Sequence, residues 1–217
     1  MTDCTGQCAA AAHFNPKVAE RDLRRYQRRG PDASTRMLLS ELRSRPLDGL
    51  HLLDVGGGIG VITVELAEAG LASVTVAEAS PDYLEAARRH VGSRYASHPV
   101  QFILGDFAMT AATLPDADVV TLDRVVCCYA DVNALLVGAA ARARRLLAFT
   151  YPRDRWYVRA AIVLENLWYR LNGNPFRAFL HSPQRMASIL EAAGFVRVAR
   201  HTTLEWSCDL YLRPELA

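Results

Sequence analysis

Asp54, Gly56, Gly58 and Gly60 stand at alternate positions, D-x-G-x-G-x-G, inside the run LLDVGGGIGVITVELAEAG over 52–70. The run is apolar up to Asp54, glycine-rich for the next few residues and helix-like after that. Glycine at such density costs backbone entropy, so something must approach the chain closely here. A glycine turn between a first parallel strand and its helix presents backbone N–H groups and a helix N-terminus to whatever lies at the carboxyl edge of the sheet. The spacing is not the G-x-G-x-x-G of a dinucleotide site. Counted from Gly56 and Gly58, the third glycine place holds Val61; counted from Gly58 and Gly60, it holds Thr63. An acid just ahead of the glycines can instead meet an ammonium, which suits a ligand with an amino-acid moiety.

Three more acids stand where later strands are expected to end. Glu78, followed by Ala79, closes VTVAEAS, where a carboxylate can accept two ribose hydroxyls. Asp106 closes ILGDF and can accept from an exocyclic amine such as adenine N6, with Phe107 beside the ring. Asp123 closes TLDRVV on the same edge. Four acids at four successive strand ends describe a site for a cationic nucleoside that carries a free amino acid.

The elements that position these residues follow from periodicity. The runs GLHLLDV, ASVTVAEA, VQFILGD, ADVVTLD and RRLLAFTY are short and β-branched or apolar, and helical segments at 60–69, 81–91 and 131–142 separate them. Strands alternating with helices imply parallel βαβ units. Ahead of them, NPKVAERDLRRYQRRG reads as a helix with Asn15 as N-cap, Pro16 at the first position and Gly30 as the stop, and PDASTRMLLSELRSR as a second helix. After Tyr151 come a long amphipathic helix, an irregular stretch, a helix capped by Ser182 and a final antiparallel strand pair. The expected fold is α/β: a Rossmann-like, doubly wound, mostly parallel sheet with an antiparallel C-terminal strand pair and an N-terminal helical cap. One domain is expected, with 1–48 as tail and cap, 49–217 as the ligand-binding body and a helical insertion at 153–181.

The ordered set Asp54/Gly56/Gly58/Gly60, Glu78, Asp106-Phe107 and Asp123 resembles that of class I S-adenosylmethionine-dependent methyltransferases over roughly 49–151. The resemblance implies S-adenosyl-L-methionine as cofactor. It puts Asp54 and the glycines at the methionine moiety, Glu78 at the ribose, and Asp106 with Phe107 at the adenine. HFNPKVAERDLRRY and RAFLHSPQRMASILEAAGFVRVARHTT are also similar to the two ends of magnesium-protoporphyrin O-methyltransferases, which methylate a propionate carboxylate. That family carries a histidine before a tyrosine after the fourth strand; here Cys128 precedes Tyr129. A thiol does not replace imidazole as an acid–base group near pH 7.

Methyl transfer asks the protein chiefly to hold the acceptor in line with the breaking bond and to keep water out. The expected acceptor walls are Tyr26, Cys128, Tyr129, Tyr151, Trp156 and His181, whose aromatic and apolar bias suits a small, flat or greasy molecule. Carboxylate methylation of the magnesium-protoporphyrin kind is the alternative, and a non-catalytic adenosylmethionine-binding protein is a second one. The missing third glycine argues against a nicotinamide oxidoreductase.

Composition sets the outer limits. The 217 residues carry a formal charge of +2, which calls for no nucleic-acid partner. Five cysteines, an odd number with Cys127 and Cys128 adjacent, read as reduced thiols in a cytoplasmic protein. Cys4, Cys8 and His13 lack a fourth ligand, so no metal site is expected. No run is long and apolar enough to suggest a membrane span.

Overall fold

The computed structural model describes residues 13–94 and 99–214. Cys4 and Cys8 lie outside the described residues. Among the described residues seven strands form one sheet in the order β3-β2-β1-β4-β5-β7-β6. They are β1 (His51–Val55), β2 (Ser73–Glu78), β3 (Val100–Leu104), β4 (Ala117–Leu122), β5 (Ala143–Pro152), β6 (Val196–Thr202) and β7 (Trp206–Leu212). The first five pair in parallel, whereas β7 runs antiparallel to both β5 and β6.

Alternation along the strands builds a core on each face of the sheet, because successive side chains point to opposite faces. Leu53, Val55, Val120, Leu122, Leu147 and Phe149 face one way. There they meet Leu135, Leu136 and Ala139 of α6 (Val132–Arg142) and Met186 and Leu190 of α8 (Pro183–Ala192). Leu52, Val74, Val76, Val119, Leu146 and Ala148 face the other way. They meet Leu38, Leu39 and Leu42 of α2 (Ala33–Arg43), Ile62 and Val64 of α3 (Val61–Glu65), and Leu84 and Val91 of α4 (Pro81–Gly92).

The N-terminal helix α1 (Pro16–Arg29) starts where the sequence predicts. The Asn15 side chain accepts from the N–H groups of Lys17 and Val18, and Gly30 donates back to Tyr26. Its buried face, Ala19, Leu23 and Tyr26, packs on Ile59 of the glycine turn and on Tyr83 and Ala86 of α4. The helical cap therefore sits against the glycine turn, at the carboxyl edge of the sheet.

The helix expected over 60–69 is cut to α3. Bonds from Ala67 to Val64 and from Ala69 to Leu66 replace the helical pattern with tight turns, and buried Leu66 and Leu71 draw the chain back toward β2. Beyond β5 the long helix α7 (Trp156–Leu171) buries only Val158. A four-residue turn of helix, α5 (Phe107–Thr110), follows β3.

Candidate functional site

A cavity of about 1110 Å³ opens at the carboxyl ends of β1, β2, β3 and β4. It is slightly larger than the roughly 300–1,000 Å³ usual for a small-ligand site. Of the predicted site residues, it brings together Asp54, Gly56, Gly58, Glu78, Ala79, Asp106, Phe107, Asp123, Tyr26, Cys128 and Tyr129.

Asp54 is the most constrained. It is 1% exposed, accepts from the Thr121 hydroxyl at 2.8 Å through Oδ1, and among the described residues has no partner for the buried Oδ2. Burial pushes its carboxyl up to about 7; the Thr121 hydrogen bond opposes this, while the nearby charges of Asp123 and Glu78 add to it. A buried carboxylate oxygen without a donor is costly unless a cation or a proton meets it. Glu78 is also raised by burial, against the backbone N–H groups that hold it. It accepts from Ser80 at 2.8 Å and Gly58 at 2.9 Å, one bond on each oxygen. A carboxylate offers about four acceptor positions, so capacity for two hydroxyl donors remains. Asp106 caps α5 through Ala108 and accepts from the Tyr129 hydroxyl at 2.7 Å, both on Oδ1. Oδ2 is the oxygen left to accept from a ligand.

The glycines divide by purpose. A side chain on Gly58 would meet nothing closer than Tyr83, at 3.7 Å, so its place is open toward the cavity. At Gly56 a Cβ would strike Val125 at 2.4 Å, so the chain's own packing excludes it there. Gly60 does not border the cavity: its Cβ would meet Val91 of α4 at 2.6 Å, and its left-handed backbone, φ +79°, starts α3. The third glycine of the motif serves helix packing.

Three expected acceptor walls also stand elsewhere. Tyr151 alternates into the core against Phe149 and donates its hydroxyl to Asp209 at 3.1 Å. Trp156, at the first position of α7, is 79% exposed to solvent. His181 lies behind the wall, with Nε2 at 2.8 Å from the Tyr129 carbonyl. Two expected residues reach the cavity but are tied to the protein. Tyr26 donates its hydroxyl to Glu65 at 2.8 Å. Asp123 accepts from Thr35 at 2.6 Å and Thr150 at 2.7 Å, which joins α2 to β5.

Packing adds wall residues that the sequence did not place at the site. Tyr83 stands over the glycine turn and donates to Asp22 of α1 at 2.6 Å. His13 stacks on Phe176 at 4.4 Å, and its Nδ1 accepts from the Asn174 amide at 3.0 Å, so in the neutral ring Nε2 carries the hydrogen. Burial lowers the pKa of His13, which keeps that neutral form. Tyr157, Val158, Ala161, Ile162, Glu165 and Tyr169 of α7 form one side. Their only clue in sequence is the second apolar stripe of that helix.

Cys127 lines the cavity beside Cys128, with the sulfurs 4.0 Å apart. Both thiols point at the carbonyl of Arg124, a non-glycine residue with φ 60°. Such strain recurs where a site overrides local preference. The contact with Cys128 lowers the Cys127 pKa, and the same contact together with burial raises that of Cys128.

A doubly wound sheet with an acid-lined cavity at its carboxyl edge defines a nucleoside-binding α/β protein. Residues 52–148 match the family described as Methyltransferase domain. Over 154 residues the chain is 30% identical to the magnesium-protoporphyrin O-methyltransferase of Rhodobacter capsulatus, covering 70% of this chain and 67% of that protein. The chain belongs to the S-adenosylmethionine-dependent methyltransferases, and S-adenosylmethionine is the cofactor of that family. It is also 31% identical to the ubiquinone biosynthesis O-methyltransferase of Methylocella silvestris, over 69% of this chain and 59% of that protein. In fold it is similar to the magnesium protoporphyrin IX methyltransferase of Synechocystis PCC 6803 with bound SAH. The TM-score is 0.75 at 19% identity, over 96% of this chain and 99% of that one.

Proposed function

We propose that the protein methylates an oxygen of a small, flat, lipophilic molecule. The observation that carries this reading is the division of one cavity into two chemistries. Asp54, Glu78 and Asp106 line it from the strand ends; Val158, Ala161 and Ile162, with Glu165 among them, line it from α7, beside Phe176 and Trp206. Both relatives of about 30% identity are O-methyltransferases by name.

The residues present fit the cofactor. In this reading the unpartnered Oδ2 of Asp54 receives the ammonium of the methionine moiety. Glu78 accepts from the ribose hydroxyls. Asp106 accepts from the adenine amine, with Phe107 and Ala79 in the walls, and Gly58 leaves the cofactor room. The bound cofactor supplies a methyl group activated by a positive sulfur.

The chain's part is then geometric. Cys127, Cys128 and Tyr129 form the floor beside the transfer point. The α7 wall aligns the acceptor and excludes water. His13, with Nε2 as a donor, orients an acceptor oxygen and does not remove its proton. An acceptor that reacts as an anion, such as a carboxylate or an ionised phenol, needs no base.

The test is methyl transfer from labelled S-adenosylmethionine to a panel of quinols, phenols, porphyrin carboxylates and polar amines. Turnover of the oxygen nucleophiles, with little on magnesium-protoporphyrin because Cys128 replaces the histidine, is the expected result. Turnover confined to amines, or comparable to a dedicated enzyme on magnesium-protoporphyrin, would overturn the reading.

A further inference from the structure

Helix α7 is apolar on two sides. One side lines the cavity. The other carries Trp156, Val163, Leu164, Leu167, Trp168 and Leu171, between 49% and 79% exposed. Their spacing follows the helical period, so they form one stripe. Leu204, 72% exposed at the β6–β7 turn, lies near the start of α7, because the Tyr157 hydroxyl donates to its carbonyl at 2.7 Å. A stripe of this extent is uncommon on the free surface of a monomer.

Charge identifies what covers it. Arg155 and Arg170 bracket the stripe, and among the described residues neither forms an ion pair with an acid. Glu165 of the same helix is turned inward to the cavity. On the other side of the mouth, α1 turns its apolar face to the protein and lines an outer depression with five arginines, of which Arg21, Arg24 and Arg25 pair with Asp22, Glu20 and Asp32, whereas Arg28 and Arg29 pair with no acid among the described residues. Arg21 and Arg25 also border the cavity. A second copy of the chain fits this surface poorly: two α7 stripes face to face would gather Arg155 and Arg170 of both copies in one seam, while Asp154 is already paired with Arg159 and Glu165 and Glu205 border the cavity.

We propose that this face rests on an anionic phospholipid surface. Leucine and tryptophan enter the boundary between headgroups and acyl chains, and the arginines meet lipid phosphates. The mouth of the cavity then opens at the bilayer, and an acceptor dissolved in lipid enters along the inner side of α7. The route of the acceptor rests on the function proposed above; the docking itself does not.

Flotation of the full chain with vesicles tests this. The probes are equimolar phosphatidylglycerol and phosphatidylcholine, and phosphatidylcholine alone. Expected are flotation with the anionic vesicles, loss of most binding at high salt, and a blue shift of tryptophan emission on binding. The double variant Leu167→Asp/Trp168→Asp should lose at least about tenfold in vesicle affinity. Its affinity for S-adenosylhomocysteine should stay within about twofold, since neither residue borders the cavity. No flotation of the wild type, or equal flotation of the double variant, overturns the proposal. So does a dimer in sedimentation that the double variant dissociates, because the stripe would then be a self-interface. Failure of the chain to bind S-adenosylhomocysteine while still floating would instead overturn the function reading alone.

Discussion

Gly58→Val is expected to weaken S-adenosylhomocysteine binding at least about tenfold, or about 1.4 kcal/mol, while the protein stays folded. Gly58 is the one glycine of the D-x-G-x-G-x-G motif whose missing side chain faces open space, with Tyr83 at 3.7 Å as the nearest neighbour. A valine there occupies the room a ligand needs. Its left-handed backbone, φ +58°, adds roughly 1–2 kcal/mol of strain. Gly60→Ala is the matched control. Its Cβ would press on Val91 at 2.6 Å, so stability falls by about 1–3 kcal/mol while the folded fraction binds normally. Calorimetry on both variants, with thermal melts beside it, separates the effects. Unchanged affinity in Gly58→Val would remove the glycine turn from the cofactor site.

The second large effect is on pH. Burial first, and then the charges of Asp123 and Glu78, push the Asp54 carboxyl up to about 7. An ammonium beside Oδ2 favours the ionised form, so ligand binding drives a proton off. Affinity for S-adenosylhomocysteine should therefore fall about tenfold from pH 8 to pH 6. The heat of binding should change with the ionisation enthalpy of the buffer. Stability of the ligand-free protein should move the other way. The folded value lies above the ordinary value of 3.8, so the folded state holds more protons between the two. Stability contributed by Asp54 is then full below about 4 and is lost as pH rises through about 7. Asp54→Asn should flatten both profiles and weaken binding. A wild-type affinity flat from pH 6 to 8 would separate Asp54 from the ammonium.

The sequence makes the strands legible because their alternation sorts neighbours such as Leu52 and Leu53 to opposite cores, and those cores set the two faces of the sheet. The acids at strand ends were legible for the same reason: once β1 to β4 are parallel, Asp54, Glu78, Asp106 and Asp123 must fall on one edge. Side-chain direction beyond the sheet was not. Tyr151 is one residue short of Pro152, which lines the cavity, and turns into the core, where Asp209 holds it. Trp156 lies on the outer stripe of α7, whereas Tyr157, one residue on, lies on the inner one. A 100° step decides between solvent and site, and periodicity alone does not say which stripe of a doubly apolar helix faces in. His13, Tyr83 and Phe176 reach the wall through contacts between segments far apart in the chain, which no local spacing reports.

The shared cavity is the centre of this account, and a crystal structure with S-adenosylhomocysteine bound tests it most directly. The ligand amino group is expected at Oδ2 of Asp54, the ribose hydroxyls at Glu78 and the adenine amine at Asp106. A remaining void bounded by Cys127, Cys128 and the inner side of α7 is also expected. Adenine seated against α7, or a ligand that fills the cavity and leaves no second compartment, would contradict it.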